Sequence, residues 1–291
     1  MVKRFMITAF MMKFLMVKPR VLLLLPLLFG ALFGTHQARA DEARRIISLA
    51  PHITEMLFAI GAGDQVIAVD NASDYPPAAT ALPKVANYRS LNMEQILALQ
   101  PDLIVAWGNA QQQMVQPLEQ LGITVFYSAP DTFAALGDEL QQLGELTGHS
   151  PQAATVVADY QRQLDEIERE YRDAGPVTVF YQIARTPLMS ANDSTWMGQA
   201  VKLCGGVNIM ADSPAPYPPL NAEQVLAQDP QVILADEHED LQHWRQWPAL
   251  QAVAHGHLLT IDADRLHRFT PRTPGGIRQL CRQLDKARAY Q

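Results

Sequence analysis

The segment at residues 88–106, YRSLNMEQILALQPDLIVA, recurs at residues 217–235 as YPPLNAEQVLAQDPQVILA. The two copies lie 129 residues apart without a gap, and ten of their nineteen positions are identical. Each copy has the features of a loop that carries a tyrosine, an asparagine cap, a short amphipathic helix, a turn at a proline and a buried strand. Because two copies are too few for a repeat array, the pattern predicts two lobes of related structure.

Two pairs of side chains in this repeat are candidates for function. If the equivalent edges of the lobes face the same way, Tyr88 and Tyr217 lie on loops on either side of one cleft. Glu94 and Glu223 fall in the first turns of the two helices, where the helix dipole favours an acidic residue. In the alternative interpretation, the tyrosines fill the core and the glutamates are ordinary capping acids. We favour a functional role because both residue types recur as matched pairs.

The helices of both copies are predicted to begin with a capping box. Asn92 and Asn221 occupy the cap positions, and Gln95 and Gln224 follow three residues later. In such a box the cap side chain accepts a hydrogen bond from the third backbone amide of the helix, and the glutamine side chain accepts one from the cap's own amide.

Short apolar runs alternate with helical segments over the rest of the chain. The first run is followed by a segment of helical character that has Pro51 in its first turn, a favoured position for proline. The alternation predicts an α/β protein with two lobes and mainly parallel sheets. The runs predicted as strands are residues 45–49, 65–69, 103–107, 124–127, 178–182, 232–235 and 258–261.

A long helix is predicted between the two sets of strands. Residues 151–173 contain no internal Gly or Pro, and their apolar residues recur at helical spacing opposite a charged face. Such a helix has about 20 residues and is about 30 Å long. The predicted domains are therefore a leader at 1–40, an N-terminal α/β lobe at 41–150, an interlobe helix at 151–173 and a C-terminal α/β lobe at 174–291.

The leader has the features of a secretory signal peptide. Residues 1–40 contain basic but no acidic residues, and an apolar run at 21–33 precedes Ala38-Arg39-Ala40, which fits cleavage after Ala40. A membrane anchor is the alternative, but thirteen apolar residues are fewer than the roughly 20 of a spanning helix. No cysteine lies near the cleavage site, so a lipid anchor is not expected. We expect a soluble protein in the periplasm.

Charge narrows the class of partner. Cleavage of the leader removes six of the 23 basic residues and none of the 30 acidic ones. The mature chain then has 17 basic and 30 acidic residues, a net charge of -13. So acidic a surface argues against nucleic acid and anionic lipid as partners. The remaining 251 residues are enough for two domains with a sizeable core.

Cys204 and Cys281 are the only cysteines of the chain. Both follow the leader, and thiols tend to pair in an oxidising compartment, so we predict one disulfide. Two separate buried free thiols are the alternative. Gly205 and Gly206 directly follow Cys204, and this pair of glycines favours a helix stop over a phosphate-binding loop.

Motifs of catalysis are absent from the sequence. There is no G-x-S-x-G nucleophile elbow, no G-x-x-x-x-G-K-[ST] phosphate loop and no H-E-x-x-H zinc motif, so we do not expect an enzyme.

A histidine-rich stretch contains residue types that can ligate a metal ion: residues 236–240 (DEHED), with His243, His255 and His257. Their spacing lacks the regularity of a closed zinc site, so we favour a solvated loop.

Two further segments have the polar and aromatic residues of a ligand pocket. Trp107 ends a predicted strand, and residues 264–268 follow another, positions where ligands collect in α/β proteins. The alternatives are core packing for Trp107 and an ordinary solvated turn for the second segment. That segment consists of Asp264, Arg265, Leu266, His267 and Arg268.

Several motifs together resemble those of a known family. The motifs are Ser73-Asp74-Tyr75-Pro76-Pro77, Asn92-Met93-Glu94, residues 101–107, Cys204-Gly205-Gly206-x-Asn208-Ile209, Glu223-Gln224-Val225-Leu226-Ala227, and Pro271-Arg272 ahead of Cys281. With these motifs, the chain resembles, from about residue 45 to the C-terminus, the periplasmic vitamin B12 (cobalamin) binding proteins of ABC importers, within the wider group of iron-siderophore and haem binding proteins.

The resemblance implies a helical-backbone binding protein whose lobes are joined by one long helix. Cobalamin would bind in the cleft as transported ligand, with no catalysis and no cofactor, and Cys204 would be bonded to Cys281. Glu94 and Glu223 match docking glutamates that meet arginines on the two transmembrane subunits of the importer. One acid per lobe suits a two-fold symmetric partner, and the binding protein itself is expected to be a monomer.

The same resemblance assigns the ligand contacts. Tyr88 and Tyr217 fall where cobalamin proteins place large aromatics, often tryptophan, and residues 264–268 match a loop that contacts the side chains of the corrin ring. The chain departs from the family at Ala72, where some relatives have a pocket tyrosine, and at Arg265, which replaces an aromatic. Cobalamin is the favoured ligand because tyrosine still offers a flat apolar face.

Other ligands remain as alternatives to cobalamin. Haem is the first, because a tyrosinate at Tyr88 is a suitable ligand for ferric iron. A ferric siderophore belongs to the same transport class. A zinc or manganese receptor that uses the histidine-rich stretch is the third.

Overall fold

The computed structural model describes residues 42–289, and the predicted leader at 1–40 lies outside them. The strands are β1 (Ile46–Ser48), β2 (Val66–Asp70), β3 (Lys84–Asn87), β4 (Ser90–Leu91), β5 (Leu103–Trp107), β6 (Thr124–Ser128), β7 (Val177–Tyr181), β8 (Ala184–Arg185), β9 (Leu188–Met189), β10 (Gly206–Asn208), β11 (Val232–Asp236) and β12 (Leu258–Ile261). The helices are α1 (Pro51–Ala59), α2 (Met93–Ala98), α3 (Gly108–Gln120), α4 (Phe133–Thr147), α5 (Ser150–Tyr171), α6 (Trp196–Leu203), α7 (Ala222–Gln228), α8 (Gln251–Ala254), α9 (Ala263–Leu266) and α10 (Thr273–Arg288).

Two mainly parallel sheets form the framework of the described residues. The first has the order β4-β3-β2-β1-β5-β6, and only β4 runs antiparallel to its neighbour. The second has the order β10-β7-β11-β12 and is parallel throughout. Strands β8 and β9 form a separate hairpin. The α/β prediction is confirmed, and each of the seven runs predicted as strands corresponds to one of these strands.

The duplicated segments adopt the same local structure in both lobes. Each contains a short helix, α2 or α7, and a buried strand, β5 or β11, that pairs with the first strand of its lobe. The residues before the two prolines, Gln100 and Asp229, are equivalent in the repeat and both have a left-handed backbone, with φ of 49° and 43°. Because non-glycine residues seldom adopt this conformation, the shared turn is a feature of the duplication itself.

The capping box forms in only one of the two copies. Asn221 caps α7 with both reciprocal hydrogen bonds to Gln224. Asn92 caps α2 through its side chain, but its backbone N–H donates to the carbonyl oxygen of Val85, 2.8 Å away. Gln95 therefore accepts from the Asn92 side chain instead. The expected box at Asn92 was wrong because the adjacent sheet uses that amide.

Helix α5 contributes to the hydrophobic cores of both sheets. Val157 and Tyr160 lie in the core beside the first sheet, and Ile167 and Tyr171 lie in the core beside the second. Its 22 residues agree with the predicted helix and correspond to a length of about 33 Å. The described residues form one compact unit, and the boundaries of the two lobes stay a prediction.

A disulfide joins Cys204 and Cys281, as expected. Cys204 follows the last residue of α6, and Cys281 lies within α10, with Cα atoms 4.8 Å apart. Both residues are fully buried in the second core. Gly205, with φ +70°, follows the helix end in the left-handed conformation that glycine adopts readily. The predicted helix stop is therefore present.

Denatured, unreduced protein is expected to contain no titratable thiol. The chain has only these two cysteines, and the bond between them uses both. A thiol-reactive chromophore added to the denatured protein before and after reduction measures this directly. We expect no reaction before reduction and two thiols per chain afterwards, and two thiols before reduction would contradict the bond.

Candidate functional site

Four exposed aromatic side chains lie in loops or at a strand end of the two lobes. Tyr75 is 42%, Tyr88 73%, Trp107 48% and Tyr217 38% exposed. In the first lobe, Tyr75, Tyr88 and Trp107 follow or end strands β2, β3 and β5, which run parallel within one sheet. These three rings therefore lie at the carboxyl ends of the strands, on the side of the sheet where ligands bind in α/β proteins.

The turn between β3 and β4 presents Tyr88. The side-chain oxygen of Asn87 accepts hydrogen bonds from the backbone N–H groups of Arg89 and Ser90, at 2.8 and 3.0 Å, and so fixes the turn. The guanidinium of Arg89 lies 4.9 Å from the centre of the Tyr88 ring. Such a contact helps to hold an exposed ring in place.

The backbone of Trp107 is held by a buried glutamine. Trp107 N–H donates to the side-chain oxygen of Gln111, whose amide donates to the Leu49 carbonyl oxygen, both at 2.8 Å. Gly108 follows, and a Cβ there would lie 2.7 Å from the Ala129 Cβ, so only glycine allows α3 to start this close to the end of β6. The tryptophan is therefore fixed at the sheet edge.

His52 lies beside Trp107 in the same region. Its ring meets the indole edge-on with centroids 5.8 Å apart, and its Nε2 is 3.5 Å from Ser128 Oγ. The Ser128 hydroxyl donates to Glu139 Oε2 at 2.6 Å, so its proton is not directed at the imidazole. Burial lowers the pKa of His52 to about 4, which keeps the ring neutral at neutral pH.

Lowering the pH from about 6.5 to about 4 is expected to destabilise the protein through His52. The unfolded histidine binds a proton near pH 6.5, but the folded one binds it only near pH 4. Between these values the unfolded state binds more protons, so the free energy of unfolding falls as the pH falls. The ring of His52 retains some access to solvent. We therefore expect the free energy of unfolding to fall by about 2 kcal/mol, which is less than the full pKa shift would give.

Chemical denaturation at several pH values checks this expectation. The free energy of unfolding of His52→Gln should fall less steeply than that of the wild type over this interval. His238→Gln, at an exposed position, is the matched control and should follow the wild-type profile. Identical profiles for His52→Gln and the wild type would contradict the contribution of His52.

Tyr217 is presented by a segment that extends the β8–β9 hairpin. The carbonyl oxygens of Pro216 and Pro218 accept hydrogen bonds from Asn192 and Ser190, and Leu220 N–H donates to the Leu188 carbonyl oxygen. Partial burial raises the pKa of Tyr217, so its hydroxyl stays protonated. The hairpin follows the carboxyl end of β7, which places Tyr217 near the corresponding edge of the second sheet.

His267 is held between two strand ends of the second lobe. Tyr181 O–H and His267 Nε2 are 3.0 Å apart, and Nδ1 lies 3.4 Å from Asp236 Oδ2. Burial lowers the pKa of His267 although Asp236 opposes the shift, and burial raises the pKa of Tyr181. In the neutral state both ring nitrogens therefore have partners within the lobe, and the His267 side chain is 25% exposed.

The other residues of the predicted 264–268 segment differ in environment. Asp264 is half-exposed and forms an ion pair with Arg268 at 3.0 Å. Arg265 is exposed and pairs with Asp262 at 3.2 Å. Leu266 is fully buried in the second core, so its side chain packs inside the protein rather than facing a ligand.

A cluster of charges that the sequence analysis did not identify connects the lobes. Glu55 on α1 is buried and accepts hydrogen bonds from Arg272 and Arg268 of the second lobe. Arg268 also binds Asp74 and thereby lowers the pKa of that carboxyl group. The available signal was an acid, Glu55, directly before the apolar run Met56 to Ile60 of the predicted helical segment.

Glu94 and Glu223 occupy equivalent places outside this region. Both are exposed in the first turns of α2 and α7. Among residues 42–289, neither carboxylate has an ion-pair partner. The duplication therefore places one unpaired acid on each lobe.

The histidine-rich stretch has no metal-binding geometry in the described part of the chain. No group of three or more His, Cys, Asp or Glu side chains there could hold a metal ion. Asp236 instead caps the following turn by accepting from the backbone amides of His238 and Glu239, and Asp240 pairs with Arg185.

Comparison with known proteins identifies the family. The sequence profile of the periplasmic binding proteins matches residues 46–265, which include strands of both sheets. The chain belongs to the periplasmic binding protein family. Within the described residues of this periplasmic binding protein, no helix has the length and apolar character needed to cross a membrane.

Relatives of this periplasmic binding protein include vitamin B12-binding proteins. That of Vibrio cholerae is 40% identical over 255 residues, which cover 86% of this chain and 92% of the relative. That of Vibrio parahaemolyticus is 33% identical over 274 residues, which cover 92% and 98%. The crystal structure of the periplasmic vitamin B12 binding protein of Vibrio cholerae matches with a TM-score of 0.78 and 39% identity, over 84% of this chain and 98% of that one.

A solved structure of lower sequence identity shares the fold of this periplasmic binding protein. The periplasmic haem binding protein of Vibrio cholerae matches with a TM-score of 0.71 at 23% identity, over 82% of this chain and 98% of that one. At such low identity the likeness concerns the fold alone. The relatives in all these comparisons are binding proteins.

Proposed function

We propose that this protein captures cobalamin in a cleft between its two lobes and delivers it to an ABC importer of the inner membrane. The exposed aromatic residues at the strand ends carry the proposal, because apolar rings in water are stabilised when a ligand covers them. The identity of 40% to a vitamin B12-binding protein supports cobalamin as that ligand. No chemical step is assigned to the protein, and cobalamin is its cargo rather than a cofactor.

The proposed contacts combine flat apolar faces with a few polar groups. Tyr88, Trp107 and Tyr217 would cover faces and edges of the corrin ring. The polar contacts would come from Asp264, Arg265, His267 and Arg268, which suit the amide side chains around the ring. The Leu266 side chain is not included because it is fully buried.

Delivery would use surfaces other than the cleft. Glu94 and Glu223 are exposed on separate lobes, and each would pair with an arginine of one transmembrane subunit. The protein would be secreted through the leader at 1–40, released into the periplasm without a lipid anchor, and would act as a monomer. The lobes would correspond to residues 41–150 and 174–291, with the interlobe helix at 151–173.

Calorimetry with cyanocobalamin is the decisive experiment. We expect one molecule of cobalamin to bind per chain, and the protein–ligand complex to keep the colour of the corrinoid after gel filtration. Absence of binding by the purified protein would overturn the proposal. Zinc and manganese salts serve as comparison ligands and are expected not to bind at this site, in keeping with the absence of a three-ligand cluster among residues 42–289.

Haem is the alternative ligand that one observation favours. The exposed phenol of Tyr88, with the Arg89 guanidinium beside its ring, is a suitable group to bind ferric iron. Titration with haemin would then produce a tyrosinate-bound spectrum that Tyr88→Phe abolishes. Haem binding without cobalamin binding would replace the proposed ligand, and a ferric siderophore can be tested in the same assay.

A further inference from the structure

The carboxylate of Glu55 is enclosed by two arginines of the other lobe. Its side chain is 2% exposed. Arg272 donates to both oxygens, through Nε at 2.8 Å and Nη2 at 2.5 Å, and Arg268 Nη1 lies 3.3 Å from Oε1. A bidentate pair of this kind fixes direction as well as distance, because the planar guanidinium matches the plane of the carboxylate.

The two arginines extend this contact to the loops at the edge of the sheets. Arg268 also pairs with Asp74 at 2.5 Å and with Asp264 at 3.0 Å. The guanidinium of Arg272 lies 3.8 Å from the centre of the Tyr75 ring. We call Glu55, Asp74, Asp264, Arg268 and Arg272 the interlobe charge cluster.

Glu55 occupies a special place in the interlobe charge cluster. Asp74 and Asp264 are half-exposed or more, whereas Glu55 is buried and contacts both arginines. In the described part of the chain, Arg272 has no other ion-pair partner. Removing the charge of Glu55 therefore leaves Arg272 without its counter-charge in a partly buried position, which is strongly unfavourable.

We propose that Glu55 is the positioning residue of the cleft: it holds the two lobes at one spacing and directs Arg268 and Tyr75 toward the bound ligand. Glu55 does not itself contact the ligand, since its carboxylate is covered by the arginines. The part of this inference that concerns the ligand rests on the proposed function. The part that concerns the lobes does not.

The lobe spacing is tested first, in ligand-free protein. Spin labels at Gln120→Cys and Arg282→Cys, exposed positions on α3 and α10, report the distance between the lobes. We expect one narrow distance distribution in the parent protein and a clearly broader one in Glu55→Gln. Glu55→Asp keeps the charge and should restore much of the narrow distribution, which a role in packing alone would not explain.

The matched control is Glu166→Gln on α5. Glu166 also pairs with an arginine, Arg278 on α10, at 2.8 Å, but lies outside the interlobe charge cluster. The Glu166→Gln substitution should leave the distance distribution unchanged. Should Glu55→Gln fail to fold, Arg272→Lys keeps the positive charge while losing the bidentate geometry, and it should broaden the distribution in the same way.

The rate of ligand dissociation tests whether Glu55 directs Arg268 and Tyr75 toward the bound ligand. Dissociation of cyanocobalamin is expected to be about tenfold or more faster from Glu55→Gln than from the wild type, with Glu166→Gln unchanged. Unchanged distance distributions in Glu55→Gln and Arg272→Lys would overturn the inference, as would unchanged dissociation in both. If the wild type binds no cobalamin, the proposed function fails, while the distance measurement still decides whether Glu55 holds the lobes.

Discussion

The Glu94→Ala, Glu223→Ala double variant is expected to bind cobalamin with wild-type affinity and to fail in transport. Both acids are exposed in first helical turns, where losing the charge costs only a few tenths of a kcal/mol up to about 1 kcal/mol. In the proposed complex with the importer, whose interface would be largely dry, removing a carboxylate would leave an arginine of the importer unpaired at a cost of about 2 to 5 kcal/mol. Folding and capture should therefore persist when delivery is lost.

Transport into vesicles that contain the cognate importer, together with calorimetry, separates the two effects. Each single variant should reduce uptake, and the double variant should reduce it further, because the acids would engage two equivalent subunits. Glu145→Ala with Glu168→Ala removes two exposed acids from other helices and should transport normally. Wild-type transport by the double variant would refute docking, and a loss of cobalamin affinity would place these residues in the pocket.

Removing the exposed aromatic side chains that we propose to line the cleft is expected to have the largest effect on cobalamin affinity. Tyr88→Ala with Tyr217→Ala removes two rings and should weaken binding roughly ten- to several-hundredfold. Adding Trp107→Ala should bring the loss to about a thousandfold, because residues of this type often dominate an interface. The free protein should keep its stability, since all three side chains are substantially exposed.

Calorimetry on these variants provides the measurement. Leu121→Ala with Val207→Ala is the matched control, because it removes two exposed apolar side chains that lie at a helix end and on the edge strand β10. Its affinity should equal that of the wild type. Unchanged affinity in Tyr88→Ala with Tyr217→Ala would exclude the tyrosines as cleft walls.

Local patterns in the sequence predicted the main architecture. Buried parallel strands such as β5 and β11 are continuous apolar runs, and the amphipathic α5 has a clear helical period, so both are visible without tertiary information. Strands β3, β4, β8, β9 and β10 were not predicted. They are two to four residues long, and short strands form because neighbouring chain segments provide their hydrogen bonds.

Non-local contacts explain what the sequence analysis missed at the candidate site. Glu55 and Arg272 are 217 residues apart, and no spacing rule connects residues at that distance. The environment of Leu266 likewise depends on the fold, because the short helix α9 after β12 directs this side chain into the second core. The exposed tyrosines were identifiable because the duplication marked them as a pair, although their role as ligand contacts stays a prediction.

The shared helix α5 makes the stabilities of the two lobes interdependent. Melting of the first core would leave Val157 and Tyr160 without their packing surface, and melting of the second would do the same to Ile167 and Tyr171. A helix with one half unpacked is only marginally stable in water, so the loss would pass from one lobe to the other. Heating should therefore unfold both sheets in a single cooperative transition, and neither half of the chain should fold when expressed alone.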